Sequence, residues 1–364
     1  MSANSICQGE QVANLWKPLM EGGLKINFAY DTFRWDSDSE GKAHVHCVIV
    51  GFSFVDATKK LIYNGDKATT ATNINAYLKD EPSVFIESRN ATISDVPQIG
   101  IGNQPIDGGN YLFKPEEKDD FIKKEPKAEK YFKLWLGADE FINNRSRYCL
   151  WLGDCSPAEL RSMPLCLDRV ANVRELRLNS SRSATKRLAD TPTRFQVENM
   201  PSSDYILIPS TSSERRPYVP MGFMDKDTIS SNANLIIPDA SIYHFGVLTS
   251  SLHMAWMRRV AGRLKSDYRY SKDIVYNNFV WPQPSEAQRS RIEVTAHAIL
   301  EARALYPDSS LADLYDELTM PIELRRAHQA NDRAVLEAYG LATDSSEEEM
   351  VAHMFKLYQE ATSC

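Results

Sequence analysis

Up to about Asp107, apolar positions gather in short runs rather than in helical stripes. Residues 24–35 are apolar and aromatic, and 44–54 (HVHCVIVGFSF) is a near-continuous apolar run rich in β-branched residues. A run of that kind predicts a strand buried on both faces. Asn64-Gly65, after the short run 60–63, predicts a tight turn. Residues 15–20 allow a helix or an open loop, with Pro18 weakening the helix. Little before Leu24 offers neighbours for a central strand, so this block predicts strands with loops and an incomplete sheet.

The pattern then changes. Residues 108–130 carry a Gly-Gly pair, two prolines and dense mixed charge, predicting a linker that leads into a short helix. Residues 148–152 (YCLWL) suit a short strand. From 157 to 188 the spacing of Leu160, Leu167, Val170, Val173, Leu176 and Leu188 is helical. Among them stand Arg161, Arg169, Arg174, Arg177, Arg182, Lys186, Arg187 and, just beyond, Arg194, as a solvated helix face or as a phosphate-contacting one. The runs 205–209 (YILIP) and 234–238 (NLIIP) each end in proline and predict strands, with a polar turn at 210–216 between them. A helix is predicted over 241–261 with Phe245, Leu248, Leu252 and Ala255 inward and Gly262 as its left-handed stop. Residues 274–281 predict a further strand, closed by Pro282.

From Ser285 onward the reading is helical. Ile292, Ala296, Ile299, Ala302 and Tyr306 keep one spacing; Leu311, Leu314, Tyr315 and Leu318 keep another behind a Ser309/Ser310 cap. Pro321 suits a first turn and Gly340 an end. Ser346 with Glu349 forms a capping box before Met350, Met354, Leu357 and Tyr358.

Length adds scale: 364 residues predict two or three domains. No apolar stretch approaches the roughly 20 residues that span a bilayer, and the N-terminus has no signal-peptide pattern. Six cysteines without CxxC spacing (Cys7, Cys47, Cys149, Cys155, Cys166, Cys364) predict free thiols in a reducing cytoplasm. The net charge of −7 speaks at first against a nucleic-acid partner. Its distribution reverses that. The 108–130 segment is dense in both signs and 347–349 is acidic, while arginine and lysine collect in 161–194 and 258–272.

Enzyme motifs are missing: no GxxxxGK[ST], no GxGxxG after a strand, no HExxH and no GxSxG. His44 and His46 share a strand face without a third ligand, which favours packing over metal. Asp36, Asp38 and Glu40 make an acidic turn, too short for a calcium loop, and Cys149 and Cys155 lack a histidine partner. The suggestive stretch is Arg258, Arg259, Arg263, Lys265, Arg269 and Lys272 with Tyr268 and Tyr270 interleaved. Cations neutralise phosphates, and tyrosines donate to backbone oxygens. Lys265 and Asp267, two apart, project to one side of an extended segment. A lysine there donates to guanine O6 and N7, and an aspartate accepts from cytosine N4, so the two could read one G·C pair. A salt-bridged surface loop is the competing reading, and Arg215 with Arg216 invites the same pair of readings.

Long runs then point to a family: NSICQGEQV from Asn4, INFAYDTFRWDSDSEGKAHVHCVIVGF from Ile26, FINNRSRYCLWL from Phe141, RLADTP from Arg187, IPSTSSERRPYVPMGF from Ile208, the stretch 243–282, and LYDELTMPIELRRAHQANDRAVLEAYG from Leu314. In these runs the chain resembles the C-terminal half of the MmeI-type (type IIL) restriction–modification enzymes. Those are single polypeptides that join an endonuclease, an adenine-N6 methyltransferase and a target recognition domain.

The resemblance implies an α/β and α+β fold: a partial methyltransferase-type sheet over 1–107, a linker over 108–125, a mixed α+β target recognition domain over 126–284, and a C-terminal helical domain over 285–364. It implies double-stranded DNA as partner. Lys265 and Asp267 would read the base pair beside the methylated adenine, with guanine as the expected base, and Arg263, Tyr268, Arg269, Arg215 and Arg216 would meet the DNA backbone. The Asn-Pro-Pro-aromatic motif that holds a flipped adenine and the S-adenosylmethionine glycine motif do not occur here. S-adenosylmethionine and Mg2+ are therefore expected for a full-length enzyme, with no cofactor, catalytic residue or metal site in these residues. The chain is expected to be a piece, without methylation or cleavage of its own, that depends on missing nuclease and methyltransferase portions. A freestanding specificity subunit that recruits catalytic partners is the alternative; it would have no need of the strand at 44–54.

Overall fold

The computed structural model describes residues 1–36 and 44–363. Its architecture is mixed α/β, with four small sheets and a helical C-terminal region, the fold class expected. Asp38 and Glu40 of the acidic turn, and the side chain of His44, lie outside the described residues.

The first sheet has five strands in the order Ser2–Ala3, His44–Ser53, Lys25–Asp36, Lys60–Asn64, Lys67–Ala71. The strand His44–Ser53 therefore has neighbours on both edges, Ser2–Ala3 pairing with it through Cys47 and Val48. The Lys60–Asn64 strand joins Lys25–Asp36 in parallel, so neighbours come mainly from later in the chain. Gly65, with φ +56°, turns the hairpin that the Asn-Gly pair predicts. The expectation of burial on both faces fails: Cys47 and Val48 are buried, but Val45, Phe52 and Phe54 are exposed. Burial is confined to the middle of the strand, where Cys47 and Val48 point to opposite faces. Further along, the Phe28 ring lies over Gly51, where an added Cβ would fall 2.0 Å from it, so a larger residue would displace that exposed ring. Residues 17–21 are helical after all, as the end of a continuous helical stretch from Glu10 in which Pro18 follows closely on a π segment at Val12–Trp16.

The 108–125 stretch, expected as a linker, carries a strand at Leu112–Phe113 and a helix at Pro115–Lys124, with Tyr111, Phe113 and Phe121 buried. It completes a sheet in the order Ile229–Ser230, Phe132–Leu136, Arg147–Leu150, Leu112–Phe113. The helix expected over 157–188 is three: Pro157–Arg161, Pro164–Leu178 and Ser183–Arg187. Pro164 cannot continue a helix and starts the second one. The buried stripe of that helix is Cys166, Val170, Val173 and Arg177, while Leu176 is exposed.

Arg177 is thus neither a solvated cation nor a phosphate contact. It is fully buried, and its guanidinium donates to the carbonyls of Pro105 (2.8 Å), Ile106 (3.0 Å), Leu188 (2.9 Å), Thr191 (3.1 Å) and Arg194 (2.7 Å). The planar fork matches five carbonyls, two of which, those of Leu188 and Thr191, also accept a backbone N–H from Thr191 and Arg194.

Tyr205–Pro209 and Asn234–Pro238 form as expected and pair antiparallel, from Tyr205 opposite Pro238 to Pro209 opposite Asn234. The polar turn after Pro209 holds a further strand, Thr211–Ser212, which crosses into a three-stranded sheet with Asp267–Arg269 and Gly262–Leu264. The single helix expected over 241–261 breaks into Ile242–Leu248 and Ser251–Val260; Ser250 caps the second, its hydroxyl accepting from the His253 N–H. Phe245, Leu248, Leu252 and Ala255 are all buried, as expected. Gly262 is not a left-handed stop, because the helix ends on extended Ala261 and Gly262 opens a strand. Nor is 274–281 a strand. It is a π-turn at Lys272–Tyr276 followed by loop, held by the Asn277 and Asn278 side chains, which donate to the carbonyls of Arg89 and Glu87 at 2.7 and 2.9 Å. An apolar run marks burial, and here side-chain amides replace the sheet ladder.

The C-terminal helices are Glu286–Ala304, Leu311–Leu314, Ile322–Ala338 and Glu347–Thr362, with the Ser346–Glu349 capping box in place and Gly340 at φ +71°. Tyr306 falls beyond the first helix and Leu318 is exposed, against expectation.

Replacing Arg177 takes a donor from five carbonyls, of which those of Leu188 and Thr191 keep a backbone N–H. Arg177→Ala is expected to cost about 3–5 kcal/mol in denaturant unfolding, and Arg177→Lys to recover less than half, since an ammonium has only three donors.

Candidate nucleic-acid interface

The cation-rich stretch folds as a β-hairpin. Gly262–Leu264 and Asp267–Arg269 pair antiparallel with Leu264 opposite Asp267, so Lys265 and Ser266 form a two-residue turn. Lys265 adopts φ +59°, a left-handed backbone unusual for a side chain of its size. The expected geometry is corrected here. The segment is not extended through Lys265, so period-two alternation does not put Lys265 and Asp267 on one side; the turn brings them to one end of the hairpin.

Arg263 braces that turn. Its guanidinium donates to the Ser266 carbonyl at 2.9 Å, lies 4.0 Å from the centre of the Tyr268 ring and stands 3.9 Å from Glu214. Tyr268 is buried, whereas Lys265 and Arg269 are exposed. Among the described residues neither Lys265 nor Arg269 has a side-chain hydrogen bond or ion pair, so both are free to meet a ligand.

Behind the hairpin, Tyr270 is buried with its hydroxyl 2.8 Å from His253 Nε2. Burial pushes His253 down to about 3 and His244 to about 4, and drives His328 well below the usual histidine range, so all three are neutral at pH 7.

Arg215 and Arg216 sit on the loop that leaves the Thr211–Ser212 strand. Arg215 is exposed and pairs with Asp316 at 3.1 Å. Arg216 is half-buried; burial lowers its guanidinium from the usual range, against the opposing pull of Asp267 and Asp316. The fold therefore gathers all seven expected positions, Arg215 and Arg216 through the strand that their loop shares with the hairpin.

A polar cleft of about 490 Å³ separates this assembly from the first sheet. Asp31, Thr32, Arg34 and His46 line one wall, and Arg258, Arg259, Arg263, Lys265 and Ser266 line the other. Several of its charges are already paired: Lys79 with Asp31 at 2.7 Å, Arg258 with Glu347 at 2.7 Å, and Arg259 with Glu81. Sequence reasoning missed these acidic partners, which lie far along the chain and carry no local signal. Among the described residues no group of three or more His, Cys, Asp or Glu could hold a metal ion.

A family model for the MmeI target recognition domain matches residues 80–283, more than half of the chain, and includes the whole hairpin. The chain belongs to the MmeI family. Models for the MmeI C-terminal domain and the MmeI DNA-methyltransferase domain match 284–364 and 1–64. DNA methyltransferase A of Bacillus subtilis (strain 168) is 42% identical over all of this chain, which covers 41% of that protein. The solved structure of the type IIL restriction–modification enzyme MmeI in complex with DNA superposes with a TM-score of 0.97 at 49% identity, over the whole of this chain and 49% of that one. The chain thus spans less than half the length of the relatives it matches. In MmeI-family terms, the cleft lies between the methyltransferase-domain portion and the target recognition domain.

A histidine kept neutral in the fold but protonated near pH 6.5 when unfolded adds stability at neutral pH that is lost as pH falls. His253→Gln keeps a partner for Tyr270 but removes that titration. Its stability is expected to fall less steeply than wild type between pH 6 and 4, by about 1 kcal/mol per pH unit, measured by urea unfolding across that range.

Proposed function

We propose that this chain binds double-stranded DNA and reads part of its sequence with the Gly262–Arg269 hairpin, as the recognition portion of a longer restriction–modification DNA methyltransferase of the cytoplasm. The observation that carries the reading is the hairpin tip. A two-stranded ribbon suits the width of the major groove, and this one carries an exposed, unpaired lysine on a strained turn, braced from within by Arg263 and Tyr268. Lys265 donates to guanine O6 and N7, and Asp267 accepts from the cytosine N4 amine of the same pair. Arg269 and Arg216 neutralise phosphates, with Arg215 doing so once it leaves Asp316. Arg263 and Tyr268 act mainly by holding the ribbon in shape.

The DNA complex of MmeI supports a DNA partner, and the match of residues 1–64 to a methyltransferase domain favours a joined enzyme over a freestanding specificity subunit. S-adenosylmethionine and Mg2+ would serve the longer enzyme. Among the described residues no helix is long and apolar enough to cross a membrane.

Selection of duplexes from a randomised pool by the 364-residue chain at low salt is expected to enrich guanine at one position. The double substitution Lys265→Glu/Asp267→Arg exchanges donor for acceptor and should turn that guanine into cytosine. Unchanged preference in the exchanged protein would refute the assignment. Arg269→Ala should weaken all duplexes about equally and lower the salt slope by about one.

A further inference from the structure

The loop that carries Arg215 and Arg216 is held largely by the C-terminal helices. Asp316 takes Arg215. Arg258, itself clamped by Glu347, donates to the Pro217 carbonyl at 3.2 Å. Arg303 donates to the Met221 carbonyl at 2.6 Å. Between these points stands Tyr218. Its ring stacks on the buried His328 with centroids 4.0 Å apart, and its hydroxyl donates to the Asp332 carboxylate at 2.6 Å.

Asp332 does a second thing at the same time. Its other oxygen accepts the Ser251 N–H at 2.7 Å, at the start of the Ser251–Val260 helix, which runs through Ala261 directly into the hairpin. One carboxylate on the Ile322–Ala338 helix therefore ties the arginine loop to the root of the reading ribbon. Within the loop, the Arg216 side chain alone among the two arginines has no hydrogen bond or ion pair among the described residues, yet it is half-buried and within the field of Asp267. A guanidinium kept partly dehydrated and unpaired is ready for an anion, provided that something else holds its backbone.

We infer that the Tyr218–Asp332 hydrogen bond is a positioning contact for DNA binding, through which the C-terminal helical domain sets the place of Arg216 beside the reading hairpin. The inference rests on the proposed DNA reading and gives the C-terminal domain a task within it. Neither Tyr218 nor Asp332 touches DNA; both act through Arg216. A contact of this kind preorganises the cation, so its loss appears as weaker binding that depends on Arg216 being present.

The test is a double-mutant cycle on the 364-residue chain, with the duplex selected by the wild-type protein. Tyr218→Phe keeps the stack on His328 and removes only the hydroxyl; it is expected to weaken binding about tenfold while near-UV circular dichroism stays native. In an Arg216→Ala background the same change should cost less than twofold, whereas in an Arg269→Ala background it should again cost about tenfold. Asp332→Asn, which keeps an acceptor for Ser251, runs through the same cycle if Tyr218→Phe does not fold. Wild-type affinity in Tyr218→Phe, or an equal loss with and without Arg216, overturns the positioning role while leaving the DNA reading intact. Failure of the wild-type chain to bind any duplex at low salt overturns the DNA reading, and this inference with it.

Discussion

The structure depends on the near-complete burial of one helix. In Ser251–Val260, Leu252, His253, Met254, Ala255, Trp256, Met257 and Val260 are all buried, and only Ser251, Arg258 and Arg259 reach partly to the surface. A helix with so wide a buried face requires cover from several sides at once. Trp256 shows how the cover is assembled. Its indole N–H donates to the Val275 carbonyl at 2.9 Å, and its ring meets Phe279 from the recognition region and Phe355 and Tyr358 from the last helix. One hydrophobic cluster consequently runs from Cys7 and Val12 at the start of the chain to Tyr358 near its end. The hairpin that follows the helix inherits a root shared by three regions, which is why a short exposed ribbon can hold a strained turn.

The rest of the recognition region lacks such a centre. Its strands are two to five residues long, and its second core holds fewer large side chains than the first. Short strands leave loops whose carbonyls must be satisfied away from water. Arg177 answers that constraint by collecting carbonyls from 105–106 and 188–194, and the Asn277 and Asn278 amides do the same behind the π-turn. Charged or polar side chains thus replace sheet ladders where the sequence is too irregular to make them.

Charge follows the same division of labour. Across the whole chain acidic groups exceed basic ones, 49 against 42. Locally many of those acids are committed: Glu81 and Glu347 each hold an arginine that lines the cleft, and Asp316 holds Arg215. The cations left without partners at the hairpin, Lys265 and Arg269, are those that a phosphate or a base edge can reach. A negative protein with a selectively unpaired basic edge confines positive potential to one face.

Much of this was legible in the sequence. The strands 205–209 and 234–238, each closed by a proline, appear where their apolar runs stand, because a short apolar run stopped by proline favours a buried strand. Capping at Ser285 and Ser346 fixed two helix starts by purely local hydrogen bonds. The cation cluster and its tyrosines marked the hairpin as the place of interest. What local pattern did not carry was which cations are used. Arg177 reads as one more arginine of a basic helix, yet tertiary packing buries it against five carbonyls. Lys265 and Asp267 read as neighbours on an extended segment, yet a turn brings them together. The partners of Arg215, Arg258 and Tyr218 come from 89 to 114 residues away. Composition and spacing determined that the chain has a cation-rich segment on a mixed α/β body. Only the tertiary structure decided which side chains remain free on it, since freedom is set by partners that meet through the fold and not through the chain.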